Sequence, residues 1–169
     1  MVTDRDAGGP LGDGHAPPPL SEQEFRDIFA KVPRLTVEVV VQSSHGVLLT
    51  ERRQGPCAGL WHIPGGTVRF AESLVAAVRR VAATELGIEV DVGPLLGYIE
   101  YPSHHQNGLD SPVGIVFLCR APVGGTADPA ADAGAAVRTG RGWFTTPPGP
   151  MHAEQIQFLA THSLLTAAR

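Results

Sequence analysis

The residues with the most chemical content sit close together. Glu72, Arg80 and Glu85 follow the glycine pair Gly65-Gly66, and Gly87 closes the segment. Counted from Gly66, Glu72 is six positions on, Arg80 fourteen, Glu85 nineteen and Gly87 twenty-one. A carboxylate beside a glycine turn suits a hard cation, because Mg²⁺ takes oxygen ligands in a near-octahedral shell. Arginines supply the complementary half of such chemistry. The planar guanidinium grips a phosphate or carboxylate through paired charge-assisted hydrogen bonds. Arg52 and Arg53 are adjacent on a predicted strand, so they point to opposite faces and one of them reaches a pocket. Glu72 and Arg80 lie eight residues apart on one side of a helix, and a structural pairing explains them as well as a catalytic role does. The histidine pair His104-His105 shares a polar loop with Asp110 and has the acid-base range for proton transfer near neutrality. Simple loop exposure is the plainer account of that pair. Trp61 and Tyr101 offer rings for stacking on a base, although core packing accounts for Trp61 equally.

The flanking pattern must position these groups. Ser21 and Glu24 have the capping-box spacing, so a helix begins there, with Phe25, Ile28 and Phe29 on one face and Pro33 ending it. Residues 35–41 and 47–52 read as a β-hairpin around a turn at 43–46. The glycine pair needs close backbone approach or unusual dihedrals. A helix is expected over 71–86, with Leu74, Val75, Val78, Val81, Ala82 and Leu86 as its apolar stripe and Gly87 just past its end. Strand segments at 88–92 and 95–101 flank Gly93-Pro94. A polar loop at 103–111 leads to a central strand at 113–120. A long Gly/Ala/Asp loop at 121–140, a short strand at 141–145 and a closing amphipathic helix at 151–168 complete the order. Hairpins mixed with helices argue an α+β arrangement rather than a doubly wound sheet.

Composition narrows the function classes. The chain has 169 residues, 43% hydrophobic and 18% charged, enough for one compact domain. Residues 1–20 are dominated by Gly, Pro, Asp and Ala and read as a flexible tail, leaving 21–169 as a single domain. A formal net charge of -4 gives no general basic field for a nucleic acid polymer. No apolar run reaches membrane-spanning length, and the N-terminus lacks the pattern of a signal peptide. Cys57 and Cys119 share no metal-ligand spacing and read as a loop thiol and a buried thiol. A reducing cytoplasm is the expected compartment.

The 23 residues from Gly66 to Ile88 resemble the Nudix box, Gly-x5-Glu-x7-Arg-Glu-U-x-Glu-Glu-x-Gly-U with U a bulky apolar residue. Trp61-x-x-Pro64-Gly65-Gly66 resembles the family's approach to that box. The resemblance implies an α/β/α sandwich around a mixed, mostly antiparallel sheet. It also implies hydrolysis of a nucleoside diphosphate derivative with Mg²⁺ or, alternatively, Mn²⁺. Two of the box's glutamates are absent. Positions 81, 84 and 85 share a helix face and carry Val81, Thr84 and Glu85. One carboxylate cannot hold several mutually repelling cations, so a single metal on Glu85 and the Gly65 carbonyl is expected.

This thinned box is similar to that of the GDP-mannose mannosyl hydrolase branch, where one Mg²⁺ assists a diphosphate leaving group and water attacks the sugar carbon. On that resemblance Arg52 and Arg80 neutralise the departing diphosphate, and Glu38 is the acidic residue of the first strand. The branch's arginine after the glycine pair is Thr67 here, and its general-base histidine has no counterpart between Gln106 and Pro150. A small-molecule nucleotide-type substrate is implied, with a homodimer left open. Two other readings stand beside this one. One is a non-catalytic nucleotide-binding Nudix module. The other is ordinary diphosphate hydrolysis with carboxylates recruited from loops, Asp110 or Glu100.

Overall fold

The computed structural model of the chain describes residues 20–54, 57–121 and 140–166. The N-terminal tail and most of the long 121–140 loop expected from composition lie outside the described residues. Helix α1 (Glu22–Phe29) starts as its sequence dictates: Ser21 Oγ accepts from the Glu24 N–H, and the Glu24 carboxylate accepts from the Ser21 N–H at 2.8 Å. Strand β1 (Arg34–Ser43) and strand β2 (Gly46–Glu51) form the expected hairpin, with Ser43 opposite Gly46.

Strand β1 organises the seven-stranded sheet. One edge runs parallel to strand β6 (Pro112–Arg120) from Arg34 against Pro112 to Val41 against Cys119. The other edge is divided. Its first half pairs antiparallel with strand β4 (Gly65–Thr67), and its end pairs with β2. Strand β3 (Trp61–His62) and strand β7 (Arg141–Phe144) both pair antiparallel with β2, and strand β5 (Asp91–Glu100) pairs antiparallel with β6. The mixed, mostly antiparallel sheet expected of the sequence is therefore present.

Both faces of β1 are covered, which is why its sequence is an almost unbroken run of valines. Val37, Val39 and Val41 meet Ala77, Val78 and Val81 of helix α2 (Leu74–Val81). Val40 joins Ile63, Val116 and Leu159, the last from helix α4 (Ala153–Thr161). This is the α/β/α sandwich.

Five features differ from the sequence expectation. The box helix begins at Leu74 rather than Ala71, because Ala71 is left-handed at φ 58° and Ser73 is the N-cap, accepting from the Ala76 N–H at 3.2 Å. Its last turn, Ala82–Leu86, widens to a π-helix closed by Gly87 at φ 67°. The segments at 88–92 and 95–101 become one strand, β5, which absorbs Gly93-Pro94 through bulges between Val92, Leu95 and Gly97. The polar loop at 103–111 starts as a short helix, α3 (Pro102–Gln106), with proline at its first position. The closing helix stops at Thr161, since Ser163 is left-handed at φ 56°. No helix among the described residues is long and apolar enough to cross a membrane.

Candidate active site

The glycine pair is a strand rather than a free loop. The Val39 N–H donates to the Pro64 carbonyl at 2.8 Å, and the Val68 N–H donates to the Leu35 carbonyl at 3.0 Å. Hydrogen-bonded and open pairs alternate along an antiparallel ladder, so the Gly65–Glu38 pair between them is an open one. The Gly65 N–H and carbonyl therefore point away from β1. The N–H faces the Glu85 carboxylate. The carbonyl is left for another partner. Gly66 lies against the box helix, where an added Cβ would stand 2.9 Å from Val81 Cγ2. That close approach is why the second glycine is needed.

The helix face over this strand is thin in carboxylates for a visible reason. Val81 is fully committed to the core. The Thr84 hydroxyl donates back to the Arg80 and Val81 carbonyls at 2.9 and 3.3 Å, bonds that the helix itself absorbs. Glu85 alone offers oxygen, with its side chain 34% exposed. Burial pushes its pKa up, opposed by the Gly65 N–H and by the Arg52 and Arg80 charges.

Beside it lies a second carboxylate. Glu38 is buried on β1, accepts from Tyr101 Oη at 3.0 Å, and has its pKa pushed up to about 8 by burial, with the Glu85 charge adding to the rise. Gln155 donates to the same Tyr101 oxygen at 2.9 Å and accepts from the Ile63 N–H at 3.0 Å. This chain of bonds fixes Glu38 against Gly65. Two carboxylates, the charge on Glu85 opposing ionisation of Glu38, next to a carbonyl that points away from β1, form an all-oxygen donor set that fits a hard cation.

A cleft of about 760 Å³ opens over these groups. Phe25 and Phe29 of α1 line one side, and Arg52, Gly65 and Glu85 line the other. A smaller polar cavity adjoins it, lined by Glu38, His62, Tyr101 and His152, with Arg34, Arg52, His104 and the glycine pair shared between the two.

The NUDIX domain family model matches residues 32–159, which span the sheet and the carboxylates of the site but not α1. The chain belongs to the Nudix superfamily. It is 39% identical over 94 residues to the low-salt glycan biosynthesis protein Agl8 of Haloferax volcanii, covering 54% of this chain and 60% of that protein. It is 30% identical over 86 residues to an ADP-ribose pyrophosphatase of Methanocaldococcus jannaschii, covering 51% of this chain and 50% of that one. The chain thus spans little more than half the length of these curated relatives. A NUDIX hydrolase structure from Nitrosomonas europaea superposes with a TM-score of 0.54 at 17% identity, covering 79% of this chain and 93% of that one, which shows the shared fold.

The Nudix frame sorts the remaining candidates. Arg80 is engaged along one edge: Nε and Nη2 bind Glu72 at 2.7 Å each, and Nη2 also reaches the Thr67 carbonyl at 2.9 Å. It braces the strand-to-helix turn, and the pairing account of Arg80 and Glu72 fits this better than direct contact with a leaving group. Arg52 lines both cavities, whereas Arg53 packs beside Gly140. Trp61 is buried edge-on against Phe144, 4.9 Å between centroids, so it packs the core rather than stacking on a ligand. Tyr101 is also buried, and its hydroxyl donates to Glu38. Of the histidine pair, His104 faces the cleft and His105 is exposed away from it. Asp110 is taken by Arg34 and by His104 Nδ1 at 3.3 Å, and Glu100 lines a separate groove beside Phe158. Asp110 thus lines the same cleft as Glu85 while engaged by Arg34, and Glu100 is not among that cleft's lining residues.

Sequence reasoning missed His62, His152 and Gln155 as site residues. His62 Nε2 lies 3.3 Å from Thr50 Oγ1 and 3.9 Å from Glu85. Burial and the Arg52 charge push its pKa down to about 4, so the contact with Glu85 is with a neutral ring at pH 7. These three come from β3 and α4, outside the box, and no local spacing announces them.

Proposed function

We propose that this Nudix protein hydrolyses a nucleoside diphosphate derivative, a nucleotide sugar being the favoured class, with one divalent cation, Mg²⁺ or Mn²⁺. One observation carries the reading: Glu85 is the single carboxylate that the box helix presents to the cleft, next to a Gly65 carbonyl left outside the sheet ladder. Glu85 and the Gly65 carbonyl would hold the cation, with Glu38 beneath them. A bound cation supplies charge neutralisation for a diphosphate there. Arg52, exposed on the cleft wall, is placed to share that load, while Arg80 acts at one remove by holding the turn.

With one thin metal position, attack at the sugar carbon is favoured over attack at phosphorus. The glycan-biosynthesis relative supports a sugar-bearing substrate, and the pyrophosphatase relative supports the diphosphate itself. Turnover of a panel of nucleotide sugars and dinucleotides with Mg²⁺ tests the activity. Glu85→Gln is expected to lower Mg²⁺-dependent turnover by about 100-fold or more, since it removes a charged ligand from a single-metal site. Unchanged Mg²⁺-dependent turnover in that variant refutes the assignment. Hydrolysis in heavy-oxygen water fixes the position of attack: label in the sugar product marks attack at carbon, and label in the phosphate product overturns that preference.

A further inference from the structure

A second cluster of ligating side chains stands apart from the box carboxylates. Cys57 from the loop before β3, His104 from α3 and His152 at the N-cap of α4 each point one donor atom at a common space, all within 4.8 Å of one another. Tetrahedral Zn²⁺ spaces its nitrogen and sulfur donors about 3.3–3.7 Å apart, so small side-chain rotations close this set. The rings of His104 and His152 are already 5.0 Å apart at a 44° tilt, and Tyr101 packs against both. Cys57 is a free thiol, half-exposed.

A further contact marks His104 as more than a bystander. Its Nδ1 meets Asp110 Oδ1 at 3.3 Å, and Asp110 is itself anchored by Arg34. A carboxylate on one ring nitrogen fixes the tautomer and leaves Nε2 as a lone-pair donor, the outer-shell arrangement that metal-binding histidines use. The donor set is one sulfur and two imidazole nitrogens, which suits Zn²⁺ and its first-row neighbours and not Mg²⁺.

We propose that Cys57, His104 and His152 form a transition-metal site of the Zn²⁺ class, distinct from the oxygen site at Glu85 and Gly65, with its fourth position open to the cleft. Cys57 and His104 line the same cleft as Glu85, so a water or a substrate oxygen takes that fourth position. Three protein ligands with one open position is the pattern of zinc sites that act on a bound water or substrate rather than merely staple a fold. The metal site does not depend on the hydrolase reading, and its test is separable from it.

The experiment uses the full chain, stripped of metal under reducing conditions and titrated with Co²⁺. One equivalent should bind with the visible absorption of tetrahedral cobalt and a thiolate-to-cobalt charge-transfer band in the near ultraviolet. Zn²⁺ should bleach both, and excess Mg²⁺ should leave both intact. Cys57→Ser should abolish the charge-transfer band, and His152→Ala should weaken cobalt affinity at least about 10-fold. Cys57 is half-exposed, so Cys57→Ser folds even if His152→Ala does not. Absence of the charge-transfer band in the intact chain overturns the site. So does a band that survives Cys57→Ser, which would assign it to Cys119. In Glu85→Gln the bands should persist; their loss would place the cobalt at the box and overturn the proposal. Mg²⁺-dependent turnover in that same variant judges the other site independently.

Discussion

At the scale of single residues, Arg80 shows how a charged group can tie together the backbone around a candidate site. Its guanidinium spans Glu72 and the Thr67 carbonyl, tying the end of β4 to the start of α2. The Arg80 hydrogen bond lowers the Glu72 pKa below its ordinary 4.5. A carboxylate depressed by folding contributes stability that is fully present above the unfolded value and is lost as pH falls through the folded one. Thermal melts should therefore show an acid-sensitive component below about pH 4.5. Glu72→Gln should flatten that limb and cost about 1–3 kcal/mol at neutral pH. An unchanged acid limb in that variant would mean the brace carries no stability. The two charges were legible as a pair, but not their geometry: Glu72 stands in the turn before α2, not on the shared helix side expected, and Arg80 reaches back to it from the last turn. The convergence of Cys57, His104 and His152 was invisible in the same sequence, although His104 stood out alone, because three separate segments deliver them.

At the scale of elements, the site depends on how closely β4 lies against α2. Elements β1, β2, β6 and the capping of α1 were legible from β-branched runs and cap residues. The π-turn and the pairing of β4 with β1 were not: the first adds a residue to a turn without changing the hydrophobic pattern, and the second rests on three residues, two of them glycine. Both features shape the candidate site, since the widened turn carries Glu85 and β4 sets Gly65 beside it. Gly66→Ala isolates this dependence. Gly66 has no positive φ, so the cost is steric alone: the new methyl would sit 2.9 Å from Val81 Cγ2. The strand must shift by a few tenths of an ångström, carrying the Gly65 carbonyl away from Glu85. The expected result is weaker Mg²⁺ dependence of turnover with a modest loss of stability, about 1–3 kcal/mol as for other overpacked contacts. Val81→Ala in the same chain should restore the Mg²⁺ dependence. A double variant no better than Gly66→Ala would show that the two positions are not coupled.

At the scale of the whole molecule, the sandwich supplies a rigid floor and α1 supplies a wall that the core hardly holds. No residue of α1 is buried, and Ile28 and Val32 are 42% and 47% exposed. Yet Phe25 and Phe29 pack edge to face at 4.7 Å and line the cleft opposite Glu85, with the Arg34 guanidinium 5.6 Å from the Phe25 ring centre. Aromatic rings that do not secure the fold but border a cavity of about 760 Å³ are placed to cover the flat part of a nucleotide, where stacking contributes about 1–3 kcal/mol per base. Arg34 also anchors Asp110, so the wall is linked through one side chain to the loop that orients His104. Replacing both Phe25 and Phe29 by alanine should raise KM for a nucleotide-type substrate by about 5- to 100-fold, with kcat changed far less, because the binding lost is shared by ground and transition states. The melting temperature should move little, since the core clusters are built from other residues. A large fall in kcat at unchanged KM would mean that α1 assembles the reacting groups, and a large fall in melting temperature would mean that it belongs to the fold after all.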